Sequence, residues 1–87
     1  MVDWPNMADP KDVAGTKVVR KEFTKRKIDT SLADIRVMHG VAYVRGTLQP
    51  VRGAGVTDIK HEVEHIARII RTRPEIRDVV IDCTFRM

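Results

Sequence analysis

Residues 61–65, with the sequence HEVEH, match the H-E-x-x-H pattern, in which two histidines one helical turn apart hold zinc and the glutamate acts as a base. At about 100° per residue of helix, His61 and His65 lie roughly opposite the apolar residue Ile59, so both are predicted to face solvent. No third ligand follows at a familiar spacing, and a chain of 87 residues is short for a water-excluding cleft. We therefore predict surface histidines, with no metal, no cofactor and no catalytic residue.

A glycine-rich loop and a cysteine are the other candidates for chemistry. The loop, residues 49–56, carries Gly53 and Gly55 ahead of a helix, an arrangement that can present backbone N–H groups to a phosphate. It lacks the third glycine and the lysine of known phosphate-binding loops, so a plain connection is predicted. Cys83, the only cysteine in the sequence, cannot form a disulfide within it, and its place in an alternating pattern predicts a small buried apolar residue.

Basic residues are concentrated in one segment of a chain with a net charge of +4 and a pI near 9.6. Residues 17–27 contain six lysines and arginines against one acid, Glu22, and a second arginine cluster surrounds Pro74. Two interpretations apply to such a segment: a solvated helix face, or a surface for an anionic partner. The residues predicted for an anionic-partner site are Lys17, Arg20, Lys21, Lys25 and Arg26.

The clearest element that positions these side chains is a predicted β-hairpin over residues 35–48. Apolar and charged residues alternate on both sides of the turn His39-Gly40, and Gly40 is predicted to supply the positive φ of that turn. Gly46 falls on the buried parity of the second strand, which predicts that another element approaches the backbone closely there. The predicted structural positions of the hairpin are Gly40, Val44, Gly46 and Leu48.

The rest of the chain is predicted to supply an arm, two helices and a last strand. Residues 1–16 have no periodicity and are assigned to a flexible arm, whose Trp4 either covers the domain or docks into a neighbouring subunit. Residues 17–33 carry apolar pairs at i, i+4 spacing and are predicted to be helical. Residues 57–73 show one apolar stripe typical of a helix, and residues 77–86 alternate as a strand does.

Composition indicates one small folded domain. Apolar residues make up 43% of the chain and charged residues 32%, which is typical of a globular protein. No apolar run approaches the roughly 18 residues of a membrane span, and the N-terminus has neither the basic start nor the apolar stretch of a leader. The predicted compartment is therefore the cytoplasm, or the cell envelope if a leader has been removed.

The hairpin and the last strand together resemble the BON domain, a small bacterial module of helix, hairpin, helix and strand. Residues 35–48 have the form I-x-V-x-x-G-x-x-x-V-x-G-T-L, and Ile76 and Val79 match the V-x-x-V with which the family begins its last strand. The similarity covers about residues 20–86. Glu75 stands where the family usually has glycine, the loop after the hairpin differs, and the usual leader is absent.

The resemblance implies a non-enzymatic module that self-associates, attaches to larger envelope or secretion assemblies, or binds phospholipid surfaces. We accordingly expect an α+β domain of order α-β-β-α-β, over residues 17–87, with the helices packed on one face of a three-stranded sheet. Its predicted partners are a protein or a second copy, then an anionic phospholipid surface, with no small-molecule substrate. The alternative is a small KH-like nucleic-acid-binding domain, although a G-x-x-G clamp is missing and the aromatics for base stacking are limited to Tyr43 and Trp4.

Overall fold

Two helices and four strands make up the part of the chain that the computed structural model describes, residues 10–86. The class is α+β, as predicted, and the order is the predicted one with one short strand added. In chain order the elements are α1 (Pro10–Lys25), β1 (Ile28–Asp29), β2 (Ala33–Met38), β3 (Val41–Pro50), α2 (Ile59–Arg71) and β4 (Asp78–Phe85).

Strand β3 is the centre of a mixed sheet. It pairs antiparallel with β2 through the predicted hairpin, and on its other side it pairs parallel with β4 along its length, from Val41 opposite Asp78 to Leu48 opposite Phe85. The parallel pairing requires a crossover, which α2 provides. The additional strand β1 pairs antiparallel with the end of β3, so the sheet has four strands rather than three.

The core lies between the two helices and one face of this sheet. Alternate residues of the strands contribute Ile35, Val37, Ala42, Val44, Leu48 and Val79, all buried. Helix α1 adds Val19 and Phe23, spaced i, i+4. Helix α2 adds the predicted stripe, which consists of Ile59, Val63, Ile66, Ala67 and Ile70. Both helices therefore pack on one face, as predicted, and no polar side chain of residues 10–86 is classed as buried.

Helix α1 begins seven residues before the predicted start and ends well before residue 33, so the boundaries predicted for the arm and for this helix are corrected. Pro10 occupies the first position of the helix, where a missing N–H costs nothing. Gly15 marks close packing rather than a loop, because an added Cβ would lie 3.2 Å from Ile76 and 3.3 Å from Val37. Residues 1–9 of the predicted arm, including Trp4, lie outside the described residues.

The hairpin contains an irregularity at residues 30–32, where β1 gives way to β2. Asp29 pairs with Gln49 and Ala33 with Gly46, so the segment from β1 to β2 has one residue more than the facing part of β3. Gly46 has φ +109°, and an added Cβ would lie 2.5 Å from the carbonyl oxygen of Leu32. The close approach predicted at Gly46 is confirmed, and the neighbour is this bulged backbone. Gly46 is exposed, however, and not buried as strand parity predicted, although Val44 and Leu48 of the same parity are fully buried.

Helix α2 and β4 lie close to their predicted positions. Asp58 caps α2 by accepting a hydrogen bond from the backbone N–H of His61 at 3.1 Å. The helix ends at Arg71, before Pro74. Neither helix of residues 10–86 has the length and apolar character needed to cross a bilayer.

Candidate functional site

The HEVEH segment forms part of α2, and one of its two glutamates, Glu62, contacts a neighbouring element. Glu62 accepts a hydrogen bond and forms an ion pair with Arg26, at 3.4 Å from Oε2 to Nη1. His61 is exposed and His65 is half-buried. Within residues 10–86, His, Cys, Asp and Glu side chains do not come together in threes in a way that would hold a metal ion.

The structure separates the five basic residues predicted for an anionic partner into three groups. Lys17, Lys21 and Lys25 follow one another at i, i+4 spacing on the exposed side of α1, and we call them the lysine row. Lys25 has a weak contact with Glu22, 3.8 Å away. Arg20 turns toward the sheet, and Arg26 is held by Glu62 on α2.

One edge of the sheet, the outer edge of β2, is covered by polar side chains of α1. The hydroxyl of Thr16 accepts a hydrogen bond from the N–H of Val37 at 3.1 Å, and the guanidinium of Arg20 donates to the carbonyl of Ile35 at 3.3 Å. The carboxylate of Asp12 accepts from the N–H groups of the turn His39-Gly40, at 2.9 and 3.1 Å. These contacts satisfy backbone groups that would otherwise invite another strand.

The other edge, the outer edge of β4, is largely uncovered. The N–H of Arg86 donates to the carbonyl of Leu48 at 2.9 Å, so even-numbered residues of β4 direct their backbone groups toward β3 and odd-numbered ones direct theirs outward. Among the odd residues, Val79 is satisfied locally: its N–H donates to the Asp78 carboxylate, and its carbonyl accepts from Arg71. The outward backbone groups of Ile81, Cys83 and Phe85 have no partner within residues 10–86.

A depression lies directly beside this edge, on the helix side of the sheet, and we call it the α2–β4 groove. Its volume is about 380 Å³. Its apolar lining comes from Val63 and Ala67 on α2 and from Ile81 and Phe85 on β4. Charged side chains of α2, among them Lys60 and Arg68, form its rim. Ile81 and Phe85 share the core-facing parity of β4 yet remain only half-buried, because α2 does not extend over them completely.

Cys83 shares that half-buried face of β4. Its thiol donates to the carbonyl of Val44, with 3.2 Å from sulfur to oxygen. Burial raises the pKa of the Cys83 thiol, and the neighbouring Asp82 carboxylate raises it further. The thiol is therefore protonated at neutral pH and is a weak nucleophile. The predicted small buried residue is in fact partly exposed, since it lies on an edge strand.

The sheet face opposite the helices has a second depression, also of about 380 Å³, between β2 and β3. Tyr43 lies there between two arginines, Arg36 and Arg45, and is half-buried. Asp34 and Met38 complete the lining, and Asp34 pairs with Arg36 at 3.2 Å. An aromatic ring flanked by cations is the arrangement that base stacking uses, so this face is the place where the KH-like alternative is tested.

The four predicted structural positions all lie in the hairpin. Gly40 has φ +80° and follows His39 at φ +53°, so both turn residues are left-handed, as in the tight turns that suit a twisted hairpin. Val44 and Leu48 are fully buried on β3. Sequence reasoning missed Asp12 and Thr16, because both were assigned to the arm. The sequence did offer a signal for a helix start there, because Pro10 is followed two residues later by the acidic residue Asp12.

Comparisons of this chain with protein-family models, with curated proteins and with solved structures found no match.

Proposed function

We propose that this domain is a non-enzymatic interaction module, and that its binding surface is the outer edge of β4 together with the α2–β4 groove. The observation that carries this proposal is the difference between the two edges of the sheet. Side chains of α1 cover the β2 edge, whereas Ile81, Cys83 and Phe85 present unpaired backbone groups on the β4 edge. The BON-like pattern of the hairpin agrees with a module of this kind.

The mechanism is strand addition. An extended protein segment forms backbone hydrogen bonds with Ile81, Cys83 and Phe85, which supply affinity for any sequence. Alternate side chains of that segment enter the groove and contact the apolar lining that Val63 and Ala67 contribute. Specificity comes from these side chains, because backbone pairing by itself does not distinguish one sequence from another.

The proposal is tested with a displayed library of random ten-residue linear peptides, selected on the immobilised domain. Cys83→Pro removes an outward N–H and leaves the hydrogen bonds between β4 and β3 intact, since proline is tolerated on an edge strand. Cys83→Ala is the matched control, because it loses the same thiol and keeps the N–H. Selected peptides are expected to bind the wild type and Cys83→Ala equally and Cys83→Pro at least about tenfold more weakly. Equal binding to both variants would contradict the proposal.

The lysine row supports a second candidate function, contact with an anionic surface. Lys17, Lys21 and Lys25 are exposed on one side of α1, away from the β4 edge. Neither Lys17 nor Lys21 forms a hydrogen bond or an ion pair within residues 10–86. A membrane with anionic headgroups would attract such a row in a salt-dependent way.

A further inference from the structure

The geometry of β4 also indicates what occupies its edge. Resting on the function proposed above, we propose that the occupant is a second copy of this chain, with the two β4 strands paired antiparallel about a two-fold axis at Cys83. Axes that place side chains directly opposite each other pass through a residue of β4, and those at Val80 and Thr84 would leave Cys83 and Ile81, respectively, without a strand residue opposite them. The axes that remain near the middle of the strand pass through Ile81, Asp82 or Cys83. Backbone pairing and charge select one of them.

Backbone pairing favours the axis at Cys83. In that register Ile81 faces Phe85 of the second copy, Cys83 faces Cys83, and Phe85 faces Ile81, so every residue with unpaired outward groups finds a partner. An axis at Ile81 would instead place Cys83 opposite Val79, whose N–H and carbonyl are already bonded to Asp78 and Arg71. It would also leave Phe85 without a strand residue opposite it.

Backbone pairing also disfavours the axis at Asp82, because that register places Phe85 opposite Val79, whose N–H and carbonyl are already bonded. An axis at Asp82 would place two carboxylates directly opposite each other, which is destabilising. With the axis at Cys83, Asp82 faces Thr84 of the second copy and lies diagonal to both its Arg86 and its Asp82, so no two like charges are directly opposed. The half-buried side chains of Ile81 and Phe85 then cover one another beside the α2–β4 groove. The result is one continuous sheet through both copies.

The register is tested through Val80, which is 39% exposed on the opposite face of the sheet. With the axis at Cys83, Val80 faces Arg86 of the second copy, so Val80→Glu is expected to tighten the dimer about fivefold and Val80→Lys to weaken it by a similar factor. With the axis at Ile81, Val80 faces Asp82 and the two effects exchange sign. Sedimentation equilibrium of both variants measures the dissociation constants, and circular dichroism confirms their fold.

Oxidation of the unaltered chain provides a second measurement that needs no substitution. Residues directly opposed in a hydrogen-bonded pair have Cα atoms about 5.5 Å apart, which is within disulfide range. Mild oxidation with copper phenanthroline is therefore expected to yield a Cys83–Cys83 dimer, once each thiol rotates away from the Val44 carbonyl that it contacts within one copy. Cys83→Pro is expected to abolish dimerisation in sedimentation, and Cys83→Ala to preserve it. If Cys83→Pro does not fold, the two Val80 variants decide the matter.

Several results would overturn the inference. They are a chain that stays monomeric at about 1 mM, a dimer that Cys83→Pro leaves intact, or Val80 effects of the opposite sign. A chain that dimerises only after residues 1–9 are deleted would also overturn it, because those residues would then be the occupant of the edge. A monomer whose β4 edge still captures library peptides would refute the second copy while leaving the proposed function in place.

Discussion

Gly46 is the glycine at which an added Cβ would come closest to a neighbouring atom. Its φ is +109°, and a Cβ would lie 2.5 Å from the carbonyl oxygen of Leu32. We expect Gly46→Ala to lower the free energy of unfolding by about 2 kcal/mol or more, because strain and a backbone clash add. Gly53→Ala is the control, since Gly53 also has a positive φ but nothing lies within 4 Å of the added Cβ. Its expected cost is about 1 kcal/mol, and urea unfolding of both variants measures the difference.

Equal losses of stability in the two variants would contradict this interpretation. The positive φ would then explain the whole effect, and the bulged backbone at Leu32 would contribute nothing.

Asp29 lies beside the same bulge, and its ionisation makes the stability of the fold depend on pH. Its pKa is lowered, first by the hydrogen bond from the N–H of Ser31 at 2.8 Å and then by the side-chain amide of Gln49 at 3.0 Å. These hydrogen bonds favour the ionised carboxylate of Asp29 in the folded state and so stabilise the fold. Their contribution is complete above the pKa of about 3.9 that the group has in the unfolded chain, and it is lost as the pH falls through the lower pKa of the folded state. We expect Asp29→Asn to reduce the fall in Tm between about pH 5 and pH 2, and Gln49→Leu to remove part of it. An unchanged pH profile in Asp29→Asn would refute the linkage.

At the scale of elements, α1 protects the β2 edge through particular side chains. Thr16→Val keeps the shape of the side chain but leaves the N–H of Val37 without its acceptor, so we expect a loss of about 1–2 kcal/mol. Thr24→Val is the matched control, because the hydroxyl of Thr24 bonds only to the carbonyl of Arg20 in its own helix and is exposed. Its expected effect is within about 0.5 kcal/mol.

Chemical denaturation measures both threonine variants under one set of conditions. Similar losses of unfolding free energy in the two variants would mean that water replaces Thr16 as the hydrogen-bond acceptor of the Val37 N–H without a net cost.

The sequence predicts those elements whose hydrophobic periodicity and capping residues lie within the element itself or directly beside it. Helix α2 is an example, since Val63, Ile66 and Ile70 form one stripe and Asp58 caps the start. The start of α1 is not predicted, because Gly15 has the composition of a loop and the reason for it, contact with Ile76 and Val37, is tertiary. The β4 edge and its groove could not be predicted from the sequence for a similar reason. Alternation of apolar and polar residues shows that β4 is a strand, but it does not show which strands lie beside it.

At the scale of the whole molecule, the lysine row and the β4 edge are separate surfaces with separate tests. We expect Lys17, Lys21 and Lys25 changed together to glutamine to weaken binding to vesicles of phosphatidylglycerol and phosphatidylcholine about 100-fold at low salt, at about 1 kcal/mol per cation. The matched control removes the same charge elsewhere, in Lys60, Arg68 and Arg73. Co-sedimentation with vesicles measures both, and equal losses would mean that only net charge matters.

Single-stranded RNA at the same salt addresses the KH-like alternative. Base-dependent binding that Tyr43→Ala reduces would favour that function, because Tyr43 lies between Arg36 and Arg45 on the open sheet face. RNA binding that is weakened only by the lysine-row substitutions would reflect electrostatic attraction to phosphates, and any polyanion would bind in the same way.

The parallel pairing of β3 with β4 has a consequence for how the chain folds. The β2–β3 hairpin closes a short loop, but β4 reaches β3 only after the whole of α2 has crossed the sheet, and contacts so distant in sequence form slowly. During that interval, the side of β3 that will receive β4 is open to the β4 strand of another molecule. We therefore expect refolding at high concentration to produce domain-swapped dimers, in which each β4 completes the sheet of its neighbour.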